Sequence, residues 1–274
     1  MAAEKIPPLF LSQIRQQTEE CLMALPLIKL LNRDKDNPED CCSAVVAAAG
    51  TSTRMGGQDK LLVEIGGIPV LAHTLGALNK CREISEIIVV TRQEKMNDIA
   101  RICTEYKADK VTQIVLGGAT RLESVMNGIR QVSPRARLIA VHDGARPFVT
   151  ENIVSLAVAA ALKFSAAAPA IPVTSTVKRA KNGVVIKTID RSELFEIQTP
   201  QIFAAEILKG ALQNAIDKKL YITDDCMAVE ALGCPVRLST GSKDNIKLTT
   251  AIDIAFAEAI LKMRGNSNED WAWL

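Results

Sequence analysis

From Ser43 onward, short runs of β-branched and small apolar residues alternate with stretches of helical period. This alternation limits the possible folds more than any other feature of the chain. Residues 43–48, 86–91, 112–116, 137–141 and 166–171 read as strands. Residues 70–79, 94–106, 120–131 and 151–163 between them read as helices, with Pro69 expected as the first helical residue of the first. Four strand–helix steps in series predict an α/β fold, a mostly parallel sheet wrapped by helices. Composition agrees: 48% of residues are hydrophobic but only 4% aromatic, so the core is Ala, Val, Ile and Leu. A chain of 274 residues suits one large domain with appendages.

The pattern changes after residue 172. Residues 176–180 and 184–189 flank Asn182-Gly183, the preferred two-residue turn because both positions favour φ > 0, and predict a hairpin. An inserted hairpin reads as an arm, here residues 172–198. Beyond it, residues 204–218 read as a helix and Thr223 as the N-cap of a helix over 224–232. A short strand at 235–239 and a last helix at 249–263 complete the domain, residues 41–264. Residues 1–40 form an extension in which Phe10, Ile14, Cys21, Leu22 and Leu25 keep a roughly helical period. Residues 265–274 form a tail carrying Trp271 and Trp273.

Several function classes lose support. A formal net charge of +2 does not suit a nucleic-acid binder. The seven cysteines form no C-x-x-C pair, which argues against a disulfide or metal framework. No apolar run reaches the ~20 residues of a membrane span. No secretory leader is legible. The expectation is a cytoplasmic protein with neither nucleic-acid nor membrane partners.

Candidate chemistry clusters after the strands. The first strand opens into a Gly-containing loop holding Arg54 and Lys60. Such a loop exposes backbone N–H groups to phosphate oxygens, and two cations match a triphosphate; the plainer reading is two solvated cations. Gly117-Gly118 follows a strand and precedes Thr120-Arg121-Leu122-Glu123, so it either lets a ligand approach or simply leads into a capping box. His142-Asp143-Gly-Ala-Arg146-Pro147 lies at a strand's carboxyl end, where open α/β sheets bind ligands. Asp143 is a candidate Mg²⁺ ligand or a loop cap. His142 reads as a satisfied buried histidine, and His73 as a helix residue with no apparent partner. Arg191 and Lys247, taken singly, are surface cations. Neither a Ser-His-Asp pattern nor a Walker A sequence is present.

In order along the chain come Ala47-Ala-Ala-Gly-Thr-Ser-Thr-Arg-Met-Gly56, Lys60, Gly117-Gly-Ala-Thr-Arg-Leu-Glu-Ser124, His142-Asp-Gly-Ala-Arg-Pro147, Gln198-Thr-Pro-Gln201, Ile222-Thr-Asp-Asp225 and Asp244-Asn-Ile-Lys-Leu-Thr249. This set resembles the 2-C-methyl-D-erythritol 4-phosphate cytidylyltransferase family over about residues 43–264. The first 40 residues have no counterpart in the family pattern.

The resemblance implies a Rossmann-like nucleotidyltransferase with a protruding β-hairpin arm that builds a homodimer. It implies that CTP and methylerythritol phosphate give the CDP-linked product and pyrophosphate. The acceptor phosphate attacks the α-phosphate in line, without an enzyme nucleophile. Arg54 and Lys60 would stabilise developing charge, and Mg²⁺ would bridge triphosphate oxygens. The backbone of Ala48, Ala49, Gly50, Thr51 and Ser52, together with Gly118, would enclose the nucleotide. Ser124 would lie near the ribose or base, with Asp143 and Gly144 near the metal and ribose. Arg146, Thr176, Arg191, Thr199, Thr223 and Lys247 would hold the acceptor, Thr176 and Arg191 by reaching the partner's site.

Three departures stand out. Ser52 replaces a common Gly, Ala47 a frequent Pro, and Asp59 the usual Pro before Lys60, which adds a negative charge beside the site. A ribitol 5-phosphate cytidylyltransferase and a non-catalytic nucleotide-binding relative are the competing readings.

Overall fold

A computed structural model describes residues 42–50 and 59–265. The expected N-terminal extension, the C-terminal tail, and Thr51, Ser52 and Arg54 therefore lie outside the described residues.

Strand β1 (Cys42–Ala47) is central because its small and β-branched residues are buried on both faces. Its period of two divides them between two cores. Cys42, Ala44 and Val46 face one core. Val45 faces the other, with Ile88, Val90, Ile139 and Val141. β2 (Glu64–Ile65) and β3 (Ile68–Pro69) form a small antiparallel ladder before α1 (Val70–Lys80). β4 (Ile84–Thr91), α2 (Met96–Glu105), β5 (Val111–Leu116), α3 (Arg121–Ile129), β6 (Leu138–Asp143), α4 (Glu151–Phe164) and β7 (Ala166–Pro172) continue the alternation. The hairpin β8 (Lys178–Lys181) and β9 (Val184–Thr188) interrupts it. β10 (Phe195–Ile197), β11 (Gln201–Ala204), α5 (Ala205–Asp217), α6 (Asp225–Glu230), β12 (Arg237–Thr240) and α7 (Ala251–Gly265) follow.

The main sheet has eight strands in the order β10-β7-β11-β6-β1-β4-β5, with β12 also on β7. β6, β1, β4 and β5 pair in parallel. β11 lies antiparallel between β6 and β7, and β10 pairs antiparallel with β7. Neither β10 nor β11 is legible in the sequence. β11 is four residues long and runs directly into α5, so its apolar residues merge with the helical period.

The helices cover both faces. α1, α2, α4 and α7 bury residues in the first core, and α3, α5 and α6 in the second. Each buried Val, Ile or Leu contributes roughly 1.5–3 kcal/mol of transfer free energy. α3 comes unusually close to the sheet. A Cβ on Gly128 would lie 2.5 Å from Val45 Cγ1 and 2.6 Å from Val90 Cγ2. Gly128 thereby sets the height of α3 and of the loop that feeds it.

Two helix starts differ from expectation. Pro69 precedes α1 rather than opening it: its ψ of 138° is extended and it still pairs in β3. Asp224, not Thr223, caps α6, its Oδ1 accepting the Met227 N–H at 2.9 Å. A carboxylate at a helix start accepts the orphan N–H and also suits the dipole. His73, expected to lack a partner, is buried with Nε2 2.9 Å from the Ile65 carbonyl.

The expected hairpin forms, β8 and β9 pairing antiparallel. Asn182 and Gly183 have φ of 50° and 77°. Every residue of β8 and β9 is exposed, including Val184 (68%), Val185 (56%) and Ile186 (54%). At the opposite side of the domain, where the parallel strands begin, short polar bonds close the sheet. The Ser43 hydroxyl donates to the Glu86 carboxylate, which also accepts the Ser133 N–H at 2.7 Å. Ser85 Oγ donates to the Cys42 carbonyl at 3.2 Å.

Candidate active site

Because β1, β4 and β6 run parallel, their carboxyl ends meet at one edge. The loops that leave them are tied together. Ala48 N donates to Val90 O at 2.8 Å, Gly117 N to Thr91 O at 2.7 Å, and Gly144 N to Ala47 O at 3.0 Å. Ala48–Gly50, Gly117–Gly118 and Asp143–Arg146 are thereby placed side by side.

Asp143 ends β6 and is buried. Its Oδ2 accepts from Lys247 Nζ at 2.9 Å and Arg146 Nε at 3.3 Å. Burial alone would raise this carboxyl, but the ammonium and guanidinium outweigh it and hold the group well below the usual carboxylate range. Arg146 also donates to the Asn245 carbonyl at 2.7 Å, which links β6 to the segment carrying Lys247. Lys247 itself is exposed and Arg146 half-buried. Thus Asp143, Arg146 and Lys247, expected from the sequence as separate contacts, form one cluster.

Thr199 lies behind Asp143, buried. Its hydroxyl accepts the Asp143 N–H at 3.1 Å and sits 3.0 Å from His142 Nδ1. His142 Nε2 faces the Arg146 carbonyl at 3.2 Å. A carbonyl only accepts, so Nε2 carries the proton, and Nδ1 accepts from Thr199. Burial pushes the His142 pKa down to about 4. His142 is therefore a satisfied neutral histidine, as the sequence suggests.

Burial likewise lowers His73. Both rings bind a proton more readily in the unfolded chain, so stability falls as pH drops below about 6.5. The His142 share keeps falling until about pH 4, where the folded ring also protonates. Asp143 acts lower, losing its contribution only as pH falls through and below the ordinary carboxylate range. Urea unfolding should find His142 contributing a loss of about 2 kcal/mol between pH 7 and pH 5. His142→Asn should flatten that dependence; an unchanged slope would mean that the ring is not held neutral.

The Gly117-Gly118 loop is shaped by its own helix. A Cβ on Gly118 would fall 2.3 Å from Glu123 Cβ, and one on Gly117 2.8 Å from Ala49 Cβ. The capping box is complete: Thr120 Oγ1 accepts the Glu123 N–H, and Glu123 Oε2 accepts the Thr120 and Ala119 N–H groups. Ser124 is buried and its Oγ lies 3.0 Å from Gly118 N and 2.8 Å from Thr120 O. The close approach that these glycines permit is to Glu123, Ser124 and Ala49.

Lys60 is half-buried at the end of residues 51–58. The extra charge of Asp59 is answered: its Oδ2 pairs with Arg92 Nη2 at 2.9 Å. Thr176 and Arg191 sit exposed on the arm, Arg191 donating to the Thr174 carbonyl. No hydrogen bond or ion pair among the described residues joins them to the Asp143 cluster. Thr223 is exposed beside Met227.

Sequence reasoning missed Arg121 and Asp225. Arg121 Nη2 pairs with buried Asp225 Oδ2 at 2.7 Å. Gln201 supports this pair, donating to Asp224 Oδ2 at 2.8 Å and accepting the Asp225 and Cys226 N–H groups at 3.0 and 3.1 Å. The available signal was Gln201 and Asp225 standing in their motifs beside the expected Thr199 and Thr223.

Cations rather than nucleophiles stand along this edge, Lys60, Arg121, Arg146 and Lys247, which suits a polyanionic substrate better than covalent chemistry. Among the described residues no group of three His, Cys, Asp or Glu converges as a metal cage. No helix among them is long and apolar enough to cross a membrane.

A sequence model of the 2-C-methyl-D-erythritol 4-phosphate cytidylyltransferase family matches residues 42–263. The chain is 40% identical over 220 residues to the enzyme of that name from Halalkalibacterium halodurans, covering 80% of this chain and 96% of the relative. It is 39% identical over 228 residues to that of Pelotomaculum thermopropionicum, covering 82% and 96%. Among solved structures it resembles 4-diphosphocytidyl-2C-methyl-D-erythritol synthase from Anaerococcus prevotii, with a TM-score of 0.73, 32% identity and coverage of 82% and 97%. The Thermus thermophilus 2-C-methyl-D-erythritol 4-phosphate cytidylyltransferase gives a TM-score of 0.67, 31% identity and coverage of 80% and 98%. With its β-strand core, its ordered motifs and this degree of identity, the chain belongs to the 2-C-methyl-D-erythritol 4-phosphate cytidylyltransferase family.

Proposed function

We propose that the chain transfers the cytidylyl group of CTP to 2-C-methyl-D-erythritol 4-phosphate. The products are 4-diphosphocytidyl-2-C-methyl-D-erythritol and pyrophosphate, a step of the non-mevalonate route to isoprenoids. The observation that carries the reading is the Asp143–Arg146–Lys247 cluster at the carboxyl ends of β1 and β6. The ribitol 5-phosphate reading is not favoured, because the relatives reported above are named for methylerythritol phosphate.

An acceptor phosphate oxygen forms a bond to the α-phosphorus as the bond to the bridging oxygen breaks. The electron pair leaves with pyrophosphate. The nucleophile is already an anion, so no general base is required, and catalysis rests on position and charge. Arg54 and Lys60 are the cations assigned to charge on the leaving group. The backbone of Ala48, Ala49 and Gly50, with Gly118 and Gly144, encloses the nucleotide, and Ser124 fixes the loop that carries Gly118. Lys247 and Arg146 present cations to the acceptor phosphate. Thr199 orients Asp143 from behind.

Asp143 fits a Mg²⁺ ligand in donor chemistry, since Mg²⁺ takes one or two carboxylates and completes its shell with phosphate oxygens and water. Mg²⁺ held there would neutralise charge on the triphosphate. Thr176, Thr223 and Arg191 complete the acceptor site. The free-standing arm with its exposed Val184, Val185 and Ile186 supports a two-fold homodimer in which Thr176 and Arg191 serve the partner's site. A cytoplasmic setting, where CTP is made, belongs to the same reading.

Pyrophosphate release tests it. Release is expected only when CTP, methylerythritol phosphate and Mg²⁺ are all present, and should be far slower with ribitol 5-phosphate. Tight CTP binding with no release on either acceptor would leave a nucleotide-binding protein and end the enzyme reading.

A further inference from the structure

We propose that Arg92 is a positioning residue that sets the aim of Lys60 through Asp59. The inference rests on the role of Lys60 given above.

Lys60 lies between two anchors. Downstream, Leu61 is buried, and its carbonyl accepts the Leu71 N–H at 3.0 Å, while the Val63 carbonyl accepts the Val70 N–H at 2.9 Å. That side is fixed to the start of α1. Upstream, the chain enters from residues 51–58, and the anchor there is Asp59. Its Oδ1 accepts the Leu61 N–H at 3.1 Å, and its carbonyl accepts the Leu62 and Val63 N–H groups at 2.9 and 3.2 Å. Asp59 therefore shapes the turn in which Lys60 stands, and Oδ2 ties that turn to Arg92 at 2.9 Å.

Arg92 is itself well placed to act as a fixed post. It directly follows β4, whose last residue, Thr91, is fully buried and donates to the Ala48 carbonyl at 3.3 Å. Its second terminal nitrogen pairs with Glu94 at 3.0 Å. The guanidinium fork thus spans two carboxylates. The Arg92 and Asp59 side chains are 28% and 11% exposed, so the pair is partly withdrawn from screening solvent.

Turnover of the full chain with CTP, acceptor and Mg²⁺ tests the proposal. Arg92→Gln should lower kcat about 10- to 100-fold, the scale of a small misplacement of a reacting group. KM for CTP should change less than about threefold, since binding common to ground and transition states is untouched. Arg92→Lys should recover part of the loss. Asp59→Asn should give a similar defect from the other side of the pair and serves if Arg92→Gln fails to fold, as judged by thermal melting. In a Lys60→Ala background, Arg92→Gln should have no further effect on kcat, because the group it aims is gone. A folded Arg92→Gln enzyme with normal kcat, a change confined to KM, or losses that multiply with Lys60→Ala would each overturn it. A wild-type chain that releases no pyrophosphate would instead overturn the proposed function.

Discussion

Lys60→Ala is expected to cut turnover by about 10²- to 10³-fold, or roughly 2.7–4 kcal/mol of transition-state stabilisation. The phosphate nucleophile needs no activation, so removing a cation from the leaving group strikes what remains of catalysis. Folding should survive. The neighbouring contacts of Asp59 and Leu61 are made by the Asp59 side chain and by backbone, and do not use the Lys60 ammonium. Steady-state kinetics beside a thermal melt would check both halves. Near-normal turnover would remove Lys60 from the mechanism, and a collapsed melting curve would make it structural.

Mixing two inactive variants should restore activity. If Arg191 serves the partner's site, Lys60→Ala and Arg191→Ala place their lesions so that one site of each mixed dimer combines an intact Lys60 with an intact Arg191. After subunit exchange at equal amounts, about a quarter of wild-type activity is expected from random two-fold pairing. If Arg191 works within its own chain, no site in the mixture is whole and activity stays at the level of the single variants. The two outcomes differ by orders of magnitude.

Much of the sheet was legible because β1, β4, β5, β6 and β7 carry short runs of β-branched and small apolar residues separated by helical periods. The Asn182-Gly183 turn was legible for a local reason, the φ > 0 that both residues adopt. β10 and β11 were not, since three and four residues carry no periodicity of their own. The site divides in the same way. Asp143 and Arg146 stood out by their place after a strand. Their union with Lys247 depends on the path from β12 to α7 and has no local sign. Asp59 shows in the sequence only as an added charge, because β2, β3, α1 and β4 separate it from Arg92 and only folding brings the two together. The capping box of Thr120 and Glu123, by contrast, lies within one turn of helix and was readable residue by residue.

The Ser43–Glu86–Ser133 bonds close the sheet where its parallel strands begin, while Asp143 lies where they finish. Robustness and chemistry are thus assigned to opposite ends of the same strands. Substitutions at Ser43 or Ser85, whose hydroxyls make these bonds, change stability with the reacting edge left as it is. Selection on substrate, in turn, can rework the loops beyond Asp143 without loosening the end that keeps the strands in register. The domain can therefore drift toward a new growth temperature and toward a new acceptor along separate sets of positions.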